Sequence, residues 1–265
     1  MTRYPLPSDT RAALQQYAHK CQNPGLLFER YTPEFLHSGD KQKALENIQR
    51  CKPDQQAMDA YRARLRALVR AADAITFQAQ TDWRFVTGLG RNTPFEVGFT
   101  FHRLYGFPVI PGSGLKGLAR AWAYFRLKEE QPDCESEEDP LFAAVFGRAS
   151  KGDESEGSVG GAVFFEAIPL DEPELEVDVM TPHFPDYYSD KKNRVPPSDD
   201  QDPVPIPFLT IKDGVRFGFA VGWRGASNPK AHTQAVEWLK AGLENLGAGG
   251  KTAAGYGYFE IVGGQ

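Results

Sequence analysis

Apolar and polar side chains alternate along ITFQAQTDWRFVTGLG, residues 75–90, and again along FEVGFTFHRL, residues 95–104. A period of two predicts strands with one buried face. The preceding chain keeps another rhythm. Residues 9–20 and 41–72 read as helices, because Met58, Tyr61, Leu65, Leu68 and Val69 recur at spacings of three and four while Arg62, Arg64, Arg66 and Arg70 fill the remaining faces. Residues 1–73 are thus expected to form an N-terminal helical region. Downstream, PGSGLKGLARAWAYFRLKEE (111–130) predicts a helix burying Leu115, Leu118, Ala119, Trp122 and Phe125. Strands are expected over 161–170 and 174–180, and a hairpin over 207–223 about Asp213-Gly214. A helix over 230–246, burying Val236, Leu239, Leu243 and Leu246, and a last strand over 256–263 close the chain.

Strand, helix, strand, strand, helix, strand is the order of an α+β, ferredoxin-like or RRM-type core, with an antiparallel sheet and two helices on one face. Residues 74–265 form that domain, with insertions at about 129–160 and 180–207. The second insertion is rich in Pro and Asp. Each proline fixes its own φ and removes a donor, so no regular element persists there. No solenoid-type repeat is present.

Composition is that of a globular chain, and the net charge is −5. The average hides a partition. Residues 1–128 carry 19 basic against 10 acidic side chains, residues 129–213 carry 6 against 22, and residues 214–265 carry 5 against 3. A basic working face beside an acidic surface is implied. No stretch is apolar enough for a membrane span or a signal peptide, so a cytoplasmic protein is expected. Cys21, Cys51 and Cys134 are far apart in sequence and lack a CxxC pair, which argues against a disulfide framework and against a zinc site.

Two glycine-rich segments carry the candidate chemistry. In Pro111-Gly112-Ser113-Gly114 a turn leads into a helix, with Ser113 placed to cap it; Lys116 and Arg120 follow one turn apart. Free amides and the helix dipole favour an anion there, and the two bases should outweigh the dipole. The second segment, LGAGGKTAAGYG, ends a helix with Gly249, Gly250, Lys251 and Thr252. It imitates a nucleotide-binding P-loop, but Asn245 stands where a glycine is needed and the order of helix and strand is inverted. No nucleotide cofactor is expected, and no metal. In a ferredoxin-like core the two junctions can lie close together, and glycine backbone admits a phosphodiester chain. Arg84 and Arg91 join these residues as RNA-binding candidates. The last strand partly imitates an aromatic RNA-binding pattern, with Ala254 where a base should stand, so Tyr256 and Tyr258 are expected to pack in the sheet.

Taken together, VIPGSGLKGLARAWA, GLGRNTPFEVGFTFHRLYG, DVMTPHFPDYY, PIPFLTI and LGAGGKTAAGYGYFEI resemble the RAMP superfamily. Within it they are similar to the sixth-subunit family of the Cmr (type III-B CRISPR) effector complexes. The resemblance covers roughly residues 74–263, and Gly114 departs from a motif that commonly has Ser there. It implies a Cas7-like protein that caps the guide-RNA-bound backbone toward the guide's 3′ end. The implied partners are guide (crRNA) and target RNA, the neighbouring Cas7-like backbone subunit and other Cmr subunits. By the same resemblance the insertion at 180–207 looks like a thumb, and Lys191, Lys192 and Arg194 are its cluster of bases.

Two other classes compete. A RAMP-type endoribonuclease, processing guide RNA or cutting target RNA, would use His102 as base, or Asp178, His183 and Asp186 as metal ligands or acid and base. The Pro-broken spacing does not fix the last three on one face. A purely protein-binding adaptor would use the acidic 129–139 segment and the N-terminal helices.

Overall fold

The computed structural model describes residues 4–34, 39–133, 135–150, 157–189, 194–198 and 202–263. Helices α1 (Ser8–Tyr17), α2 (Pro24–Glu29), α3 (Asp40–Arg50) and α4 (Gln55–Ala71) come first. The single helix expected over 41–72 is interrupted at 51–54. Pro53 lacks an N–H for continuing the helix, and Asp54 starts a new one, its carboxylate accepting the Ala57 N–H at 2.9 Å. Arg62, expected on an outer face, is buried, with Nε donating to Pro169 O at 3.0 Å and Nη2 to Asp171 O at 2.7 Å.

Strand β1 (Ile75–Thr81) leads to α5 (Gly112–Glu130), α6 (Pro140–Phe146), and the short strands β2 (Gly147–Arg148) and β3 (Ser158–Val159). Next come β4 (Ala162–Phe164), β5 (Ile168–Pro169), β6 (Leu175–Met180), α7 (Pro185–Ser189) and β7 (Ile206–Ile211). Helix α7 is a short helix inside the insertion that was expected to hold no regular element, and it starts at a proline, where no N–H is needed. The chain closes with β8 (Arg216–Trp223), α8 (Pro229–Asn245) and β9 (Phe259–Gly263). The main sheet is antiparallel in the order β4-β8-β1-β9, with β5 also on β8. The units β1–α5–β4 and β8–α8–β9 interleave, and α5 packs on α8, which is the ferredoxin-like arrangement. Alternation along β1 and β8 supplies the core. Phe77 lies opposite Phe219 with the rings stacked at 4.9 Å, and Phe85, Phe217 and Phe259 meet edge to face behind them.

A second, two-stranded sheet pairs β6 with β7, and α3 packs on it. Through Phe28, Leu45 and Ile48 the N-terminal helices share the core of the main sheet. Helix α6 adds Phe142 and Val145 to the same core.

Three expectations are corrected. The expected 207–223 hairpin turns at Asp213-Gly214, but its arms join different sheets. The chain leaving β1 runs between them: Thr81 bonds to Val215 and Gly214, and Phe85 bridges Ile211. Along 95–104 the side chains Phe95, Val97, Phe99 and Phe101 are buried in alternation, but no strand forms. Glu96 has φ +70°, which breaks the extended path, and the Gly98 and Thr100 amides bond to Leu89 O and Thr87 O instead. On α5 the buried row is Leu115, Ala119, Ala123 and Leu127; it drifts away from Phe125, which is 55 % exposed.

Candidate nucleic-acid interface

Both glycine-rich corners line one groove of about 760 Å³. One wall is Pro111, Ser113 and Gly114 at the start of α5; the other is Gly247–Gly250 after α8. Its floor comes from Thr87, Gly88, Leu89 and Arg91, with Thr100 beside them. The backbone must be bare here. A Cβ at Gly249, whose φ is +78°, would stand 2.0 Å from Val86 O, and one at Gly112 would stand 2.1 Å from Phe164 O. The Gly250 N–H donates to Val86 O at 3.0 Å, which ties the second corner to the floor.

Ser113 is not a cap. Helix α5 begins at Gly112, Pro111 holds the N-cap position without a side-chain bond, and Ser113 is an exposed residue of the first turn on the groove wall. Uncapped first-turn amides remain available to an anion. Lys116 is half-exposed in the next positions of the helix and pairs with no described carboxylate. Arg120 turns elsewhere: its Nη2 lies 3.6 Å from Glu137 Oε1, and its guanidinium sits 5.4 Å from the Phe142 ring. Arg91, 51 % exposed, reaches the groove floor and lies 3.3 Å from Glu29.

The remaining candidates stand apart from the groove. Lys251 has left-handed backbone at φ +60°, and its Nζ lies 3.9 Å from Met180 Sδ and over the Phe208 and Tyr256 rings, toward the second sheet. Thr252 opens a short 3-10 turn behind it. Arg84 is engaged by carboxylates, binding Glu176 through two nitrogens at 2.8 and 3.2 Å and Asp178 at 2.9 Å. Those partners, the Glu176 bonds first, hold its guanidinium above its ordinary value. Arg194 is exposed, and Lys191 and Lys192 lie outside the described residues.

Two of the residues considered for catalysis, Asp178 and His102, are otherwise engaged, while His183 is exposed beside the Phe184 ring. Asp178 accepts from Arg84 and from the Tyr256 hydroxyl. Burial first, then this bond, pushes the Tyr256 hydroxyl up to about 12. Among the described residues no group of three His, Cys, Asp or Glu could hold a metal ion. His102 packs on Tyr61, Tyr105 and Phe107, and its Nδ1 accepts the Leu104 and Tyr105 amides at 3.2 and 3.3 Å. That arrangement places its hydrogen on Nε2. Burial lowers its pKa further, so the ring is neutral and its free nitrogen is a donor, not a base.

Sequence reasoning missed Thr87 and Thr100 in the groove and Glu137 against Arg120. GLGR at 88–91 carried a glycine-rich signal for the floor, whereas no local pattern marks Glu137 as a partner.

Residues 76–260 match the model of the RAMP superfamily. The Cmr subunit Cmr6 of Pyrococcus furiosus is 34% identical, over 72% of this chain and 68% of that protein. The chain belongs to the Cmr6 family of the RAMP superfamily. A second Cmr6, from Saccharolobus solfataricus, is 28% identical over 71% of this chain and 57% of its own length. A chain in the solved type III-B Cmr-beta complex bound to cognate target RNA superposes with a TM-score of 0.63 at 21% identity, covering 85% of this chain and 72% of that one. At that identity the likeness establishes the fold. Within the Cmr6 family fold, the groove falls where both split units leave the sheet and pass to or from their helices. Among the described residues no helix is long and apolar enough to cross a membrane.

Proposed function

We propose that the chain is a non-catalytic, RNA-binding subunit of a type III-B CRISPR (Cmr) effector complex. It caps the Cas7-like backbone near the 3′ end of the guide RNA and helps position guide and target RNA for antiviral defence in the cytoplasm. One observation carries the reading: two glycine-rich corners more than a hundred residues apart build a single groove with uncapped helix amides on its wall and Arg91 on its floor, and the half-exposed Lys116 follows in the same helix. Bare backbone lets a sugar-phosphate chain approach, and amides with a lysine neutralise it without reading sequence. The names of the relatives supply the assembly. Its partners are guide and target RNA, the adjoining Cas7-like subunit and other Cmr subunits, without a nucleotide cofactor.

The test is co-expression with the remaining Cmr subunits, purification through this chain and extraction of bound RNA. A small guide of uniform length, crosslinking through its 3′ region to residues 111–116 or 247–250, is the expected result. A complex that protects the guide's 3′ end equally well without this chain would remove the capping role. Labelled RNA incubated with the purified chain and Mg²⁺ or Mn²⁺ should stay intact. The neutral, donor-bearing His102 supports that expectation.

A further inference from the structure

Cys21 and Cys51 are separated by 30 positions, yet the fold places them together. Cys21 ends the 3-10 turn that follows α1, and Cys51 ends α3. The Cys51 thiol donates to the carbonyl oxygen of Cys21 at 3.0 Å, and the Cys21 thiol points to Asn23 O at 3.5 Å. Both are half-buried and unbridged. Both also line a cleft of about 980 Å³ between α1, α2 and α3, wide enough to admit a small oxidant. His19, Lys20, Arg50 and Lys52 share its wall with Glu34 and Asp40.

We propose that Cys21 and Cys51 are a peroxide-responsive dithiol that closes to an intramolecular disulfide and pins the end of α1 to the end of α3. The chemistry balances with hydrogen peroxide as the oxidant. The Cys21 thiolate attacks the O–O bond, which breaks to give Cys21 sulfenic acid and hydroxide. The Cys51 sulfur then forms the S–S bond while the S–O bond breaks, and its proton leaves with the departing hydroxide as water. Two electrons pass from the two thiols to one peroxide. The order follows from their surroundings. Burial first, then the neighbouring Cys21, pushes the Cys51 thiol up to about 12, so Cys51 remains the protonated donor. Turning Cys21 into a neutral sulfenic acid removes the like-charge part of that effect. Because α3 packs on β6 and β7, the bridge would fasten the first helix to the second sheet as well.

The test uses the full chain carrying Cys134→Ser, so that two thiols remain. After peroxide treatment of the folded protein, both thiols should disappear from an Ellman titration and the intact mass should fall by about 2 Da, the loss of two hydrogens. The chain should stay monomeric on a non-reducing gel, one linked peptide should contain both cysteines, and dithiothreitol should restore the thiols. Adding Cys51→Ser should leave a sulfenic acid on Cys21 that dimedone traps. Differential alkylation of the unsubstituted chain gives the same pairing should Cys134→Ser fold poorly. Thiols that survive peroxide concentrations that oxidise glutathione overturn the proposal. So do oxygen additions without the 2 Da loss in the two-cysteine chain, or linkage only between chains.

Discussion

Arg84 grips Glu176 in a two-nitrogen bond at 2.8 and 3.2 Å while the same guanidinium reaches Asp178 at 2.9 Å. The arginine leaves β1 and the carboxylates lie on β6, so the contact locks the second sheet to the first. About a third of each of Arg84 and Glu176 is exposed, so solvent screens part of the attraction. Arg84→Met should therefore cost about 1.5–3 kcal/mol, measured by urea unfolding. Adding Glu176→Gln should recover part of the loss, because one uncompensated carboxylate disappears. A cost indistinguishable from zero would mean that the sheets are held by packing alone.

Tyr256 gives the same junction an alkaline limit. Its hydroxyl donates to Asp178 and its pKa stands at about 12, above the ordinary 10.0. A folded-state value above the unfolded one contributes stability that is complete below about pH 10 and is lost as pH rises through about 12. The stability difference between the parent chain and Tyr256→Phe should thus be constant from pH 7 to 9 and shrink between pH 10 and 12. Urea midpoints across that range test the sign. A difference that grows with pH would show that the hydroxylate, not the hydroxyl, is favoured.

These contacts also mark the limit of what the sequence discloses. Alternation in β1 and β8, and the three- and four-residue apolar spacing of α8, are local, so the helices and strands of the ferredoxin-like core could be read in order. The Asp54 cap, inside the expected 41–72 helix, escapes that reading. Alternation tells which face a residue takes, not which neighbour pairs with it. That is why Asp213-Gly214 suggested a hairpin, although the chain after β1 separates its arms. The same limit applies to the bases. Lys116, Arg120 and Lys251 stand beside glycines in sequence, but Glu137 draws Arg120 aside and Phe208 with Tyr256 holds Lys251 on the far side of its loop. The groove was legible through its glycines, whose constraint is local backbone geometry. The directions of the long basic side chains depend on partners supplied by the tertiary fold.

Salt dependence separates the bases by role. For single-stranded RNA, log K should fall with log salt by about 0.7 per neutralised phosphate. Lys116→Ala should make that slope shallower by about 0.7. Arg120→Ala should change it less, since its guanidinium already answers Glu137 at 3.6 Å. Glu137→Gln should then act in the opposite sense, freeing Arg120 and steepening the slope. The measurement is fluorescence anisotropy of a labelled single strand from low to physiological salt. Equal effects of Lys116→Ala and Arg120→Ala would refute the assignment of Arg120 to its protein partner.

Two glycines of the groove walls should respond in opposite ways. Gly249 has φ +78°, and a methyl group there would meet Val86 O at 2.0 Å. Left-handed backbone alone costs an L-residue roughly 1–2 kcal/mol, and the carbonyl cannot retreat cheaply because it accepts the Gly250 N–H at 3.0 Å. Gly249→Ala should therefore lower stability by about 2 kcal/mol or more and weaken RNA binding, as the second corner shifts away from the floor. Gly114 lies in the first turn of α5, and a Cβ there meets nothing within 4 Å. Gly114→Ser should leave stability unchanged or raise it by a few tenths of a kcal/mol, since serine enters a helix at lower entropic cost than glycine. Its hydroxyl would add a donor at the groove edge, so RNA affinity should hold or rise. Urea unfolding and anisotropy on the two variants measure both effects. If Gly249→Ala bound RNA normally while Gly114→Ser abolished binding, the nucleic acid would have to follow the α5 wall alone, and the second corner would be only a structural turn.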